Sequence, residues 1–447
     1  MTKLIFQGNG YTDLSSQLLV SDLESCAIIL ANSTYTSQDE HLLVSEIVVV
    51  PDDFYSVRTS NLSEIKPDFL ISIVKRARSA RQSVVFCHTH PNTYIKPTFS
   101  HIDDEGEKKL AVFMKERVPD VTHAALVIGN NGCMARKLGS QDEIDVIQVG
   151  TDRRVISSSR LPIHTMVENH DRQVRAFGKE GQAAIEQIKI GIVGLGGTGS
   201  FISNQLAYLG GTDFLLIDPD NIELTNLNRL VGSTSADVGV PKVEIAKRSI
   251  YSINNKTNIH AIKGDVTYEN IAKQLISCDF IFCCTDSHAS RAVINQIAYQ
   301  YFIPSIDMGV SISTKDGVVS YITGRVQMLS PGLGCLVCGN VLDGNTIRRE
   351  MMNEEQVKAD PYFHSSIGEP EPAVISLNGT ISSLAVTMFL GAVTNIPAKA
   401  RLQYYDGIKG TLRSAMQSQN PSCIVCSKNG ALGLGHHGTL PTRPNKP

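Results

Sequence analysis

The chain has 447 residues, 42% hydrophobic and 19% charged, with a formal net charge of −3. That length exceeds what one hydrophobic core usually supports, so two domains and a tail are expected. The near-neutral balance provides no diffuse basic field, which excludes nucleic acid as a partner implied by charge.

The N-terminal MTKLIFQGNG reaches a turn before any long apolar segment develops. No run of about 18 uncharged apolar residues is apparent, so no membrane partner is expected and a cytoplasmic location is. From residue 12 to about 135, TDLSSQLLVSDLES has helical spacing, and CAIILANS and HLLVSEIVVVP read as strands. SEIKPDFLISIVKRARSA is then helical, QSVVFCHTH is a buried strand, and a polar loop, a helix and a strand follow. This predicts an α/β domain over 1–140 and a polar linker over 141–165. A second helix-rich start, MVENHDRQVRAFGKEGQAAIEQ, opens a regular alternation of strand and helix through IPSIDMG. Such alternation predicts a Rossmann-like, mostly parallel, doubly wound sheet over 166–427. The Gly- and Pro-rich residues 428–447 read as a disordered tail.

His88 and His90 lie two residues apart at a strand end, where the strand period points both imidazoles to one face. Asp103, in the first turn of a helix opened by Ser100 as N-cap, could complete a three-ligand zinc site with one position left for water. A carboxylate beside such a site is needed to pass a proton to a leaving amine, and Glu24 is the candidate. These residues resemble the JAMM (MPN-type) metalloproteases, whose pattern is a Glu before an apolar strand, then His-x-His-Pro, then Ser-x-x-Asp. The match is Glu24-Ser-Cys-Ala-Ile-Ile-Leu, His88-Thr-His90-Pro and Ser100-His-Ile-Asp103, and nine residues separate His90 from Ser100 where the usual pattern has seven. That longer loop leaves Asp104 as the alternative to Asp103, and Glu46, which also precedes an apolar strand, is the alternative to Glu24. The resemblance implies a zinc-dependent isopeptidase in which Ser100 helps hold the developing oxyanion.

Gly194-Leu-Gly196-Gly197-Thr-Gly199-Ser follows a strand and opens a helix, as in sites where backbone N–H groups and a helix dipole receive phosphate. Asp218 ends the next strand, where a carboxylate commonly grips ribose. Asp220, Asn226 and Arg229 follow directly, and Lys242 opens the next helix. Cations there suit a triphosphate and its leaving pyrophosphate better than a dinucleotide. Asp286, after FIFCCT, could hold magnesium. These residues, with Arg172-Gln173 in the preceding helix, resemble the ubiquitin-activating enzymes and their bacterial relatives of the ThiF, MoeB and HesA type. The resemblance implies ATP-dependent adenylation of the C-terminal glycine of a small ubiquitin-like or sulfur-carrier protein. It also implies a homodimer in which Arg172 reaches the partner subunit's ATP.

Cys335-x-x-Cys338 and Cys423-x-x-Cys426 supply four thiolates, which suits a closed structural zinc rather than a redox pair. Members of the resembled family that form a thioester place a cysteine between the two knuckles, and residues 339–422 contain none, so the resemblance implies no thioester on this chain and a conjugating enzyme as a separate partner. ATP, magnesium and two zinc ions, one catalytic and one structural, are thus the expected cofactors. Two alternatives remain: a short peptide as the adenylated substrate with the first domain a binding scaffold, and an NAD-dependent oxidoreductase using the glycine loop.

Overall fold

In the computed structural model, which describes residues 1–36, 39–159, 168–315, 317–352, 356 and 372–445, the chain divides into two units. The first comprises Met1–Leu161, Gln300–Phe302 and Leu432–Thr439. The second comprises 162–299, 303–431 and 440–447.

The first unit follows from its apolar runs. Its strands are β1 (Thr2–Gln7), β2 (Cys26–Tyr35), β3 (Glu40–Val49), β4 (Tyr55–Arg58), β5 (Ser63–Ile65), β6 (Ser83–Thr89), β7 (Ala124–Gly129), β8 (Gly132–Lys137), β9 (Glu143–Val149) and β10 (Arg153–Ser157). Its helices are α1 (Gly10–Leu18), α2 (Pro67–Ala80) and α3 (His101–Arg117). The main sheet runs β1-β3-β2-β6-β7-β8-β9-β10, and β1 also pairs with β9, so the ladder closes on itself. Consecutive residues of β2 serve opposite cores. Ile29 packs with Leu4, Leu14, Leu126 and Val146, whereas Ile28 packs with Ile73, Val84 and Met114.

Two expectations fail here. The helix beginning near residue 12 ends at Leu18, so the residues from Ser21 to Glu24 are not helical. The linker expected from 141 is instead β9 and β10, because EIDVIQV pairs with β1 over Lys3–Gln7. Residues 160–165 of that linker lie outside the described residues.

The second unit contains β11 (Lys189–Val193), β12 (Asp213–Asp218), β13 (Asn258–Lys263), β14 (Phe280–Cys283), β15 (Ser305–Lys315), β16 (Val318–Leu329), β17 (Leu402–Asp406) and β18 (Thr411–Ser414). Its helices are α4 (Asp171–Gln187), α5 (Gly197–Tyr208), α6 (Lys242–Ile253), α7 (Glu269–Ala272), α8 (His288–Gln300), α9 (Gly344–Glu350) and α10 (Ile375–Val393). The sheet order is β13-β12-β11-β14-β15-β16-β17-β18. Pairings from β13 to β15 are parallel and those from β15 to β18 antiparallel. The expected mostly parallel sheet is therefore parallel only on one side. β16 begins within three residues of the end of β15, and a connection that short can only return antiparallel. With β11 central, the strand order reverses between β11 and β14, and ligands of such sheets bind at the carboxyl ends there.

α10 is uncharged, and it is long and apolar enough by composition to cross a membrane, a feature the sequence scan passed over. Its Ile381, Ala385 and Phe389 are buried in the core, with the Phe389 ring against Phe280 and Phe282.

The residues expected as a disordered tail are ordered. Leu432 packs with Ile5, Leu43 and Ile147, the Asn32 side chain donates to the Gly433 carbonyl at 2.8 Å, and His436 Nε2 donates to the Tyr35 carbonyl at 2.9 Å. Gly433 and Gly435 take the positive φ angles that this turning segment requires. Further on, Arg443 joins the second unit through Asp265 and Thr267.

Candidate functional site

In the first unit, β2 and β6 pair antiparallel with Cys26 opposite His88. Continuing that register puts Glu24 beside His90, and the amide of Thr89 donates to the Ser25 carbonyl at 3.0 Å. His88 Nε2 lies 3.2 Å from His90 Nε2 and 3.2 Å from Asp103 Oδ1, and His90 Nε2 lies 3.5 Å from Asp103 Oδ2. Ligand atoms held at zinc's N/O bond lengths in a tetrahedron are about 3.3 Å apart, and the two imidazole nitrogens with one Asp103 oxygen, all within 4.8 Å of one another, could form one face of such a site.

Asp103 reaches this face because it is doubly held. Ser100 Oγ accepts from the Asp103 amide at 3.2 Å while Asp103 Oδ2 accepts from the Ser100 amide at 2.6 Å, a reciprocal cap. Burial alone would raise the Asp103 carboxyl, yet hydrogen bonds from His88 and His90 hold it far below the usual carboxylate range. The Ser100 hydroxyl, an acceptor in the cap, keeps its own O–H as a donor.

The structure separates the alternatives. Asp104 is turned away to Arg136 Nη2 at 2.7 Å, and Glu46 pairs with Arg76 on the surface. Glu24 is 5% exposed. Its Oε1 lies 3.9 Å from His90 Nε2, and its Oε2 accepts from Ser63 Oγ at 3.0 Å. Burial raises its carboxyl, with His88 and the Ser63 hydrogen bond opposing, which suits a group that must take and return a proton.

Sequence reasoning missed what positions α3. Buried Arg136 on β8 joins Glu107 at 2.9 Å and Asp104, and its guanidinium lies 4.0 Å from the Phe99 ring centre. Arg136→Ala would leave Glu107 buried without its cation. It is expected to destabilise the unit by about 3–5 kcal/mol in urea denaturation, and a loss under about 1 kcal/mol would deny it that anchoring role.

In the second unit, β11 passes through the glycine loop into α5. Gly194 has φ +86°, and a Cβ there would lie 2.8 Å from the Cys284 carbonyl oxygen. A Cβ at Gly199 would overlap the Gly194 carbonyl oxygen, whereas one at Gly196 meets nothing within 4 Å. Gly196 is the N-cap of α5 and provides no side-chain cap, so the first N–H groups of the helix lack a side-chain partner there, as a phosphate site requires.

Asp218 was expected to grip ribose. It is 3% exposed, and its oxygens accept from the Leu195 amide at 2.6 Å and the Asp220 amide at 2.8 Å, so it also braces the glycine loop. Burial raises its carboxyl, with Lys242 opposing. Lys242 Nζ pairs with Asp220 at 2.7 Å. Asn226 Oδ1 accepts from the Glu223 amide at 3.2 Å and caps a short turn. Arg229 is half-buried and donates to the Thr225 carbonyl at 2.6 Å. Asp286 is exposed at the end of β14 and has no hydrogen-bond partner among the described residues. Arg172 is exposed on α4.

Arg291 escaped the sequence reading. From α8 its Nε donates to the Thr285 carbonyl at 3.1 Å beside buried Asp307, which also pairs with Arg325, and this network steadies the turn carrying Asp286. The one sequence signal was an arginine within the otherwise uncharged run ASRAVINQIA.

The four cysteines of the two Cys-x-x-Cys pairs converge. Cys335 Sγ is 3.7 Å from Cys338 Sγ and 3.5 Å from Cys423 Sγ, and Cys338 Sγ is 3.4 Å from Cys426 Sγ. Zinc–sulfur bonds in a tetrahedron set sulfurs about 3.8 Å apart, so the set fits with slight expansion. The amides of Asn420 and Val425 donate to Cys338 and Cys423 Sγ at 3.3 and 3.4 Å, as thiolates favour. The other six cysteines are free thiols, Cys284 half-buried and the rest buried.

The model of the ThiF family matches residues 170–425. The molybdopterin-synthase adenylyltransferase of Escherichia coli is 26% identical over 261 residues, spanning 58% of this chain and 96% of that protein. The SAMP-activating enzyme E1 of Haloferax volcanii is 23% identical over 280 residues, spanning 60% of this chain and 91% of that protein. A crystal structure of E. coli MccB with ATP is 21% identical, covers 60% of this chain and 76% of that one, and has a TM-score of 0.46.

Proposed function

We propose, from the premise that this chain belongs to the ThiF family, that its second unit adenylates the C-terminal carboxylate of a small ubiquitin-like or sulfur-carrier protein. The strongest support is the glycine loop, with the uncapped N-terminus of α5 and the open face of Gly196 at the reversal point of the sheet. A carboxylate oxygen of the carrier attacks the α-phosphorus of ATP, the bond to the bridging oxygen breaks, and pyrophosphate leaves. Asp218 keeps the loop in shape from beneath. Arg229 and Lys242 offset the charge on the leaving group, and Asp286 is the carboxylate for magnesium. Arg172, exposed on α4, acts on the partner copy of a homodimer. The relatives named molybdopterin-synthase adenylyltransferase and SAMP-activating enzyme support the carrier class. With no cysteine between the two knuckles, the acyl adenylate passes to a thiol or amine elsewhere, such as that of a conjugating enzyme.

The first unit supplies a zinc-dependent isopeptidase of the JAMM type, acting on the same carrier terminus. His88, His90 and Asp103 would hold the metal, which supplies a more acidic water when bound. Glu24 holds a proton at Oε1, the oxygen left free by the Ser63 hydrogen bond, and gives it to the leaving amine. Ser100 donates to the developing oxyanion. Trimming or removal by the first unit would produce the free carboxylate that the second activates. Cys335, Cys338, Cys423 and Cys426 would hold a structural zinc.

ATP–pyrophosphate exchange with candidate proteins ending in Gly-Gly tests the main claim. Exchange that requires a carrier and falls by at least about 100-fold in Asp286→Ala is the expected result. Carrier-independent exchange, or exchange indifferent to Asp286, would refute it.

A further inference from the structure

α5 is not the only helix whose N-terminus opens at this end of the sheet. α10 runs alongside it in the same direction. Asn378 meets Gly197, Ser382 Oγ donates to the Thr198 carbonyl at 3.1 Å, and Gln205 Nε2 donates to Ser383 Oγ at 3.3 Å. Neither N-cap, Gly196 or Val374, supplies a side-chain hydrogen bond. Two sets of unsatisfied N–H groups, each at the positive end of a helix dipole, therefore lie at the same end of the sheet.

Asn378, in the second turn of α10, sits against the start of α5. It is 6% exposed, and its side-chain amide has no hydrogen-bond partner among the described residues. Its polar atoms are not sealed from solvent, so a ligand there would replace water as the partner of the amide. The group is aimed at α5, because a Cβ on Gly197 would overlap Asn378 Nδ2. The glycine is thus required by the asparagine as much as by any ligand.

We propose that Asn378 donates its Nδ2 hydrogen to the phosphate chain of ATP, alongside the N-termini of α5 and α10. This rests on the adenylating function given above. An amide suits the position because it adds a donor without the ion pairing that already engages Lys242.

Calorimetric titration of the full-length chain with ATP, and separately with adenosine, tests the assignment. Asn378→Ala should bind ATP about 10-fold more weakly with adenosine affinity unchanged, the expected loss of one hydrogen bond to a charged group. Asn378→Asp keeps the shape and places a negative charge against phosphate, so its ATP affinity should fall by at least about 100-fold, again with adenosine unchanged. Equal losses for ATP and adenosine would make Asn378 a packing residue, and wild-type ATP affinity in Asn378→Asp would overturn the proposal outright. A wild-type chain that binds neither ligand would instead overturn the adenylating function, and the role of Asn378 with it.

Discussion

Replacing Gly199 with alanine is expected to abolish ATP binding and to destabilise the second unit by more than about 3 kcal/mol. The added Cβ would occupy the position of the Gly194 carbonyl oxygen and press on Cys284 Cβ at 3.4 Å. Neither neighbour can yield cheaply. The Gly194 amide donates to Ile217 at 2.9 Å and the Cys284 amide to Val193 at 2.8 Å, so moving either breaks the bonds that dock the loop onto β12 and β11. Gly196→Ala is the matched control, since a Cβ there meets nothing within 4 Å. It should unfold at the wild-type temperature yet lose ATP affinity, because its methyl fills the space read as the phosphate seat. Thermal unfolding with and without ATP separates the two. Wild-type melting of Gly199→Ala would show the loop looser than its packing indicates, and undiminished ATP affinity in Gly196→Ala would place the phosphates elsewhere.

The sites were legible in the sequence where chemistry is local in sequence. His88 and His90 follow from a period of two, the reciprocal cap of Ser100 and Asp103 from a spacing of three, and the cysteine knuckles from a repeated Cys-x-x-Cys. What escaped depends on pairing between distant segments. β1 and β9 sit some 140 residues apart in the chain and bury each other's faces. Read alone, TKLIFQ is short and EIDVIQV is interrupted by charge, so neither was recognised as a strand. Asp218 stands at the position where sequence logic expects a ribose ligand, and only the fold reveals that its oxygens also accept from backbone amides. Arg136 and Asn378 look like ordinary surface polar residues of a strand and a helix. Their burial, and hence their consequence, is set by α3 and α5 packing over them.

Glu24→Gln is expected to remove hydrolysis by the first unit, by about 10²–10⁴-fold, without removing metal. The amide keeps the size of the carboxylate, and its carbonyl oxygen can still accept from Ser63, so the register of β2 on β6 and the faces of His88 and His90 should survive. What it cannot do is hold a proton at the position 3.9 Å from His90 Nε2. His90→Ala should do the reverse and remove one of three ligand atoms. Metal analysis of the dialysed full-length chain should then find two zinc ions in wild type and Glu24→Gln and one in His90→Ala, the remaining ion belonging to the four cysteines. Hydrolysis is read on a ubiquitin-like protein carrying a fluorescent amide at its C-terminal glycine. Zinc retained with hydrolysis lost in Glu24→Gln assigns the proton to Glu24, because a collapsed site would lose both. Hydrolysis undiminished in Glu24→Gln would remove that carboxylate from the chemistry. A wild-type chain holding a single zinc would reduce the histidine cluster to a set of hydrogen bonds between Asp103 and its two neighbours.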